Sequence, residues 1–170
     1  MSEVIYRLAT SPDLPVIAGM YTQMDQFFRG FSYRFPEVEN IGEAWVDSFR
    51  RTLGRFSVVY IAELDGAVVG FMLGRVKRVA PYLGGVLVGE LSDMWVEPVA
   101  RRLGVGKELS LITMKWLADQ GVHSIEIQIL EGNEPIWRLY EKMGFKPELR
   151  QIRMLREDFP AAFGSAEENA

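Results

Sequence analysis

The sequence predicts an α/β fold: a mixed sheet with helices packed on it, in the order β-α-α-β-β-β-α-β-α-β. Three observations carry this reading. "SVVYIAELDGAVVGFMLGRVKRV" holds two β-branched runs on either side of Asp65-Gly66, a strong two-residue hairpin signal. An amphipathic stretch from Val105 is followed by "SIEIQIL", where Ile125, Ile127 and Ile129 alternate with Glu126 and Gln128. Between the strand that ends at Val96 and the helix that starts near Gly104 lies a glycine-bare junction, "RRLGVG".

The elements follow in order. "IYRLA" supplies a first strand around Val4–Leu8. "SPDLPVIAGMYTQMDQFF" is a helix, with Ser11 or Asp13 as its cap and Pro12 or Pro15 in its opening turn. An aromatic-rich loop, "RGFSYRFPEVEN", leads to a second helix, "GEAWVDSFRRTLG", closed by Gly54. The hairpin comes next, then a longer strand from Gly85 to Val96. In the third helix Val105, Leu109, Ile112 and Trp116 fall on one stripe, and Gly121 stops it. After the "SIEIQIL" strand, "NEPIWRLYEKMG" is a short helix opened by Pro135 and closed by Gly144. "ELRQIRMLR" is a last strand. Residues 1–163 form a single domain in this reading, and "GSAEENA" (164–170) is a polar tail.

Composition narrows the chemistry. The chain has 170 residues, 48% apolar and 25% charged, an ordinary globular balance. A net charge of −4 favours neither nucleic acid nor an anionic membrane as partner. There is no cysteine, which removes thiolate nucleophiles and cysteine-based zinc sites. With one histidine, His123, a metal site has almost no raw material, so no metal is expected. The first twenty residues lack a signal-peptide pattern. The most apolar window, Phe56 to Leu73, is broken by Glu63, Asp65 and Gly66, so no membrane span is expected and the default compartment is the cytoplasm.

The junction "RRLGVGKEL" (Arg101–Leu109) is the most telling stretch. A strand-to-helix turn aims unpaired N–H groups and the positive end of a helix dipole at one point, which makes an anion site. Arg101 and Arg102 add donors that match phosphate geometry. A P-loop is excluded because Glu108 follows Gly106-Lys107, and a dinucleotide fingerprint because Leu109 stands where its third glycine belongs. The plain alternative is a glycine-rich connector.

Arg101-x-x-Gly104-x-Gly106 matches the [QR]-x-x-G-x-[GA] signature of the GNAT superfamily of N-acetyltransferases, and "VEPVARR" resembles that family's approach to the loop. "NEPIWRLYEKMGF" is similar to its N-x-x-A-x-x-L-Y-x-x-x-G-F stretch at Asn133, Leu139, Tyr140, Gly144 and Phe145. Arg102 replaces a frequent glycine and Ile136 a usual small residue. The resemblance implies acetyl-CoA as donor, bound where a splayed fourth and fifth strand open an acyl-CoA cleft. It implies pantetheine contacts along Met94, Trp95 and Val96, and a pyrophosphate cradle from Arg101 through Arg102, Leu103, Gly104, Val105 and Gly106 to Lys107. Asn133 either contacts the CoA or caps its helix.

Acetyl transfer to an amine needs a base for the amine, stabilisation of the oxyanion and an acid for the leaving thiolate. Lacking cysteine, the chain favours direct attack over an acetyl-enzyme. Tyr140 matches the family's acid; otherwise it is a core tyrosine. Glu90 is the first candidate base, where some family members carry a glutamate, and Asp93 the second; either is otherwise an ordinary strand residue. They lie at opposite parity on a regular strand, and a bulge would change which of them faces the cleft. The acceptor is left open among small amines, antibiotic-like polyamines, amino acids and protein amines, with the loop Arg29–Asn40 as a wall. A silent acyl-CoA-binding module and transfer of a larger acyl group are the rival functions, and a homodimer is compatible with the family.

Overall fold

The computed structural model describes residues 3–31 and 33–159. The tail read at 164–170 lies outside them. The chain divides into two compact units, Met1–Trp137 and Arg138–Ala170.

The first unit holds β1 (Val4–Leu8), α1 (Leu14–Phe28), α2 (Ile41–Arg50), β2 (Ser57–Leu64), β3 (Ala67–Arg78), β4 (Leu87–Val96), α3 (Val105–Asp119) and β5 (Ser124–Ile127); α4 (Glu134–Lys142) crosses the boundary. The five strands form one sheet in sequence order. β1 to β4 are antiparallel and β5 runs parallel to β4. At the hairpin Leu64 faces Ala67, and Asp65 and Gly66 take φ of 51° and 80°, as a two-residue type I′ turn demands.

Sequence left the first helix a choice of caps. In the structure, Asp13 ends a 3-10 turn and its carboxylate reaches back to the Thr10 N–H and hydroxyl, both at 2.7 Å. Arg7 clamps the same carboxylate with two nitrogens, at 2.8 and 3.0 Å, and donates to Glu63 through Nε at 2.7 Å. The Arg7 hydrogen bonds, helped by those from Thr10, outweigh the effect of burial and hold the Asp13 carboxyl well below the usual range.

One sheet face packs on α1 and α2 through Ile17, Met24, Trp45, Val46, Phe49, Ile61, Phe71 and Leu73. The other carries α3. The buried stripe of α3 is Val105, Leu109, Thr113 and Leu117, whereas Ile112 and Trp116, expected to face the core, are only half-buried. Glycines on the sheet explain the rotation. A Cβ on Gly74 would come within 2.6 Å of Thr113, and one on Gly89 within 3.1 Å of Leu117, so that flank of the helix settles deepest. β5 also ends earlier than its alternation suggests, at Ile127.

In the second unit α4 ends at Lys142, and Gly144 just beyond it takes a φ of 94°. Tyr140 is buried and meets Phe145 edge-on, ring centroids 5.3 Å apart. The last strand read from "ELRQIRMLR" is absent: residues 148–155 form no strand, and Leu149, Ile152 and Met154 are exposed. Apolar and β-branched residues favour a strand only where a neighbouring strand offers a ladder, and this segment has none.

A candidate active site where the sheet divides

β4 pairs with β5 over Val88–Leu91, against Ser124–Ile127, and the pairing then stops. On its other side β4 stays bonded to β3 as far as Val96. Residues 92–96 therefore have an edge that β5 does not cover. Glu97 donates its N–H to Val69 of β3 at 2.8 Å, and Trp95 and Asp93 share its parity. By the alternation of an antiparallel ladder, Met94 and Val96 turn their main-chain groups to the open edge.

The register with β3 settles the question of parity. Leu73 faces Asp93 and Gly74 faces Leu91, so Ser92 is an inserted residue, a β-bulge. The insertion puts Glu90 and Asp93 on the same face, toward α1 and α2. Trp45 of α2 donates its Nε1 to Asp93 Oδ2 at 3.1 Å, and Ser92 donates its hydroxyl to the same oxygen at 2.6 Å. Glu90 faces Arg75 across the ladder, and Lys77 stands 3.6 Å from its carboxylate. Lys77 is bound more closely by Glu126 on β5. Burial alone would lower the Lys77 pKa, but the Glu126 hydrogen bond and the charge of Glu90 prevail and raise it. Glu90 thus shares a cation, whereas Asp93 is held by neutral donors.

Aromatic rings surround Asp93. Tyr21 stacks on Trp45 at 4.4 Å. Burial, and then the negative charge of Asp93, push the Tyr21 hydroxyl far above its ordinary range. Phe27 meets Trp95 and Phe31 edge-on, at 5.9 and 5.2 Å. A Cβ on Gly132 would touch Phe31 at 3.5 Å, so the loop after β5 meets the loop after α1. Sequence expected an acceptor wall in Arg29–Asn40; the rings beside Asp93 in the structure are Trp45 and Tyr21, which helical spacing alone assigns to the core. The one available signal was that a buried indole N–H needs an acceptor.

At the junction after β4, Arg102 and Gly104 take φ of 63° and 79°, and α3 begins at Val105. The first helical bond runs from Glu108 N–H to Gly104 C=O at 3.0 Å. The N–H groups of Val105, Gly106 and Lys107 precede it and point out of the helix end. The two glycines serve different ends. Gly104 faces open space and supplies the left-handed turn; a Cβ on Gly106 would lie 3.3 Å from Met94 Sδ, so Gly106 lets α3 press on β4. Arg101 turns back: its Nε donates to Val96 C=O at 3.0 Å and its guanidinium lies 4.9 Å over the Trp95 ring. Arg102, Leu103 and Lys107 are exposed. Asn133 is buried at the start of α4, its C=O accepting from Trp137 N–H at 3.1 Å. Tyr140 belongs to the second unit. Among the described residues no cluster of acidic and histidine side chains could hold a metal, and no helix is long and apolar enough to cross a membrane.

The model of the acetyltransferase (GNAT) family matches residues 21–145. The chain belongs to the GNAT acetyltransferase family. It is 34% identical over 87 residues to a mycothiol acetyltransferase of Thermomonospora curvata, covering 51% of this chain and 27% of that one. It is 28% identical over 121 residues to a glucosamine 6-phosphate N-acetyltransferase of Trypanosoma brucei brucei, covering 70% and 78%. This GNAT chain spans about a quarter of the length of the mycothiol acetyltransferases it matches. Among solved structures, it superposes on the aminoglycoside N-acetyltransferase AAC(6')-Iy in complex with CoA with a TM-score of 0.72 at 19% identity, covering 92% and 96%. It superposes on a transcriptional regulator from Bacillus halodurans C-125 with 0.71 at 21%, covering 90% and 99%. At such identities these two matches bear on the fold alone, which is the GNAT fold expected from the motifs.

Proposed function

We propose that this GNAT chain transfers an acetyl group from acetyl-CoA to a primary amine by direct attack. One observation carries the reading: within 92–107 an open strand edge, a carboxylate and an unpaired helix N-terminus occur together. Acetyl-CoA supplies the acyl thioester. The N–H groups of Val105, Gly106 and Lys107, with the Arg102 and Lys107 side chains, suit its pyrophosphate. Met94, through both main-chain groups, and Val96, through its N–H, suit the amide-bearing pantetheine arm; the Val96 carbonyl is already taken by Arg101.

Asp93 is the base we favour. Trp45 and Ser92 hold one of its oxygens, which orients the carboxylate and leaves Oδ1 to accept the amine's proton, directly or through a water. Glu90, paired with Lys77, is the weaker base and helps set the local charge. Tyr140, which matches the family motif, is assigned the proton for the departing thiolate. Asn133 is assigned the helix cap and, through its amide, a contact near the donor.

Three further readings go with this one: residues 1–163 act as one catalytic domain, in the cytoplasm, and pair as a homodimer. The relative named for glucosamine 6-phosphate supports an amine acceptor. The test is release of CoA thiol from acetyl-CoA across small amines, aminosugars, amino acids and peptides, beside the thermal shift given by CoA. Turnover with one amine class supports the proposal. Tight CoA binding with no turnover on any class would make the chain a silent acyl-CoA binder.

A further inference from the structure

On the α3 face of the sheet, away from β5, lies a pocket of about 280 Å³ that acetyl transfer does not use. It is lined by Tyr6, Tyr60, Ile112, Lys115, Trp116 and Asp119. The sequence dictates its shape. Tyr6 faces Ala62 and Leu8 faces Tyr60 in the β1–β2 ladder, so the two tyrosines are diagonal neighbours on one face. Diagonal residues stand roughly 7–8 Å apart, about the width of a flat or methyl-rich group held between two rings. Ile112, Lys115, Trp116 and Asp119 follow helical spacing, so one stripe of α3 supplies the opposite wall.

The polar groups are unusual. Lys115 and Asp119 both line the pocket one turn apart, yet among the described residues neither has an ion-pair partner, including each other. Both are exposed at the mouth, whereas Tyr6, Tyr60 and Trp116 are half-buried. Burial raises the pKa of both tyrosines; the charge of Asp119 adds to this at Tyr60 and that of Glu108 at Tyr6, so carboxylates flank the rings. Ring faces attract a cation, and more so beside a carboxylate. A lone cation would leave Lys115 repelling it, and a lone anion would meet Asp119.

We propose that this pocket is a second small-molecule site, for a zwitterion of the α-amino-acid class with an apolar or aromatic body. Asp119 and the rings take the ammonium, Lys115 takes the carboxylate, and Ile112 and Trp116 bound the side chain. The volume is below the usual range of drug-sized pockets, which fits a ligand of that size. The inference does not rest on acetyl transfer, because no residue of the pocket belongs to the proposed active site.

The experiment is calorimetric titration of the full chain with L-phenylalanine, 2-phenylethylamine, which lacks the carboxylate, and 3-phenylpropionate, which lacks the ammonium. L-Phenylalanine is expected to bind saturably and to perturb tryptophan fluorescence, with each single-charge analogue at least tenfold weaker. Asp119→Asn and Lys115→Gln should each weaken L-phenylalanine at least tenfold, with melting temperature and CoA binding unchanged. Both side chains are exposed, so the variants will fold. Absence of saturable binding overturns the proposal. So does binding that Asp119→Asn leaves intact, which would place the amino acid elsewhere. Equal affinity for 2-phenylethylamine and L-phenylalanine would make this a simple cation site and overturn the zwitterion.

Discussion

Replacing Asp93 by asparagine separates what its carboxylate does from what it holds. Oδ2 accepts from Trp45 Nε1 at 3.1 Å and from the Ser92 hydroxyl at 2.6 Å. Asparagine keeps a carbonyl there and loses the charge. Hydrogen bonds to a charged group contribute about 1.5–3 kcal/mol and are roughly twice as strong as neutral ones. Relief of carboxylate desolvation offsets part of the loss, so Asp93→Asn should lower stability by about 1–2 kcal/mol. Asp93→Ala removes the acceptor altogether and strands the Trp45 N–H on a residue only 7% exposed. It should cost about 1–3 kcal/mol, the usual penalty for one unsatisfied buried group. A domain stable by about 5–15 kcal/mol stays folded in either case. If Asp93 is the base, kcat/KM in the asparagine variant falls about 10²- to 10⁴-fold, or about 2.7–5.5 kcal/mol of barrier. CoA affinity should hold. Urea unfolding, CoA titration and thiol release measure the three quantities. An Asp93→Asn protein with more than about a third of wild-type kcat/KM would refute the assignment, and Glu90→Gln would then be the variant to make.

Tyr140→Phe keeps the ring against Phe145 and removes one oxygen; kcat should drop about 10²-fold with CoA affinity nearly constant, and full activity would remove Tyr140 from the mechanism. Gly106→Glu brings bulk and negative charge to the start of α3; titration should show CoA affinity at least tenfold lower, about 1.4 kcal/mol, in a folded protein. The depressed Asp13 carboxyl contributes stability above the unfolded carboxylate range, about pH 4, and loses it as pH falls toward the folded value. Arg7→Gln should therefore lower urea stability at pH 7 and flatten its decline between pH 5 and pH 2; an unchanged decline would mean that other carboxylates govern it.

The hairpin, the crossover from β4 through α3 to β5 and the glycine-led start of α3 were all legible in the sequence, because each rests on local rules. Asp65-Gly66 can hardly do anything but turn, and Gly104 can hardly sit elsewhere than at a left-handed helix start. What escaped was set by partners. Thr113 faces the sheet instead of Ile112 because Gly74, nearly forty residues earlier in the chain, leaves room for it. "ELRQIRMLR" has a strand's composition but no ladder. The choice between Glu90 and Asp93 turned on one inserted residue, Ser92, whose register depends on β3. Trp45 was legible as a core residue, but not as the donor that orients a carboxylate forty-eight positions away.

The uncovered edge of β4 also bears on how the protein behaves at high concentration. A strand that shows a free row of N–H and C=O groups is a template for any extended chain that meets it. Here one rung is plugged from within: the Arg101 guanidinium caps the Val96 carbonyl and carries a charge across the end of the strand. That places Arg101 where a gatekeeper against self-association belongs, next to the start of α3. Removing it, as in Arg101→Ala, should show first in light scattering of the ligand-free protein, with CoA suppressing the effect. Purification and storage of this chain are then best done with CoA present, since the molecule that would fill the gap also shields the edge from its own kind.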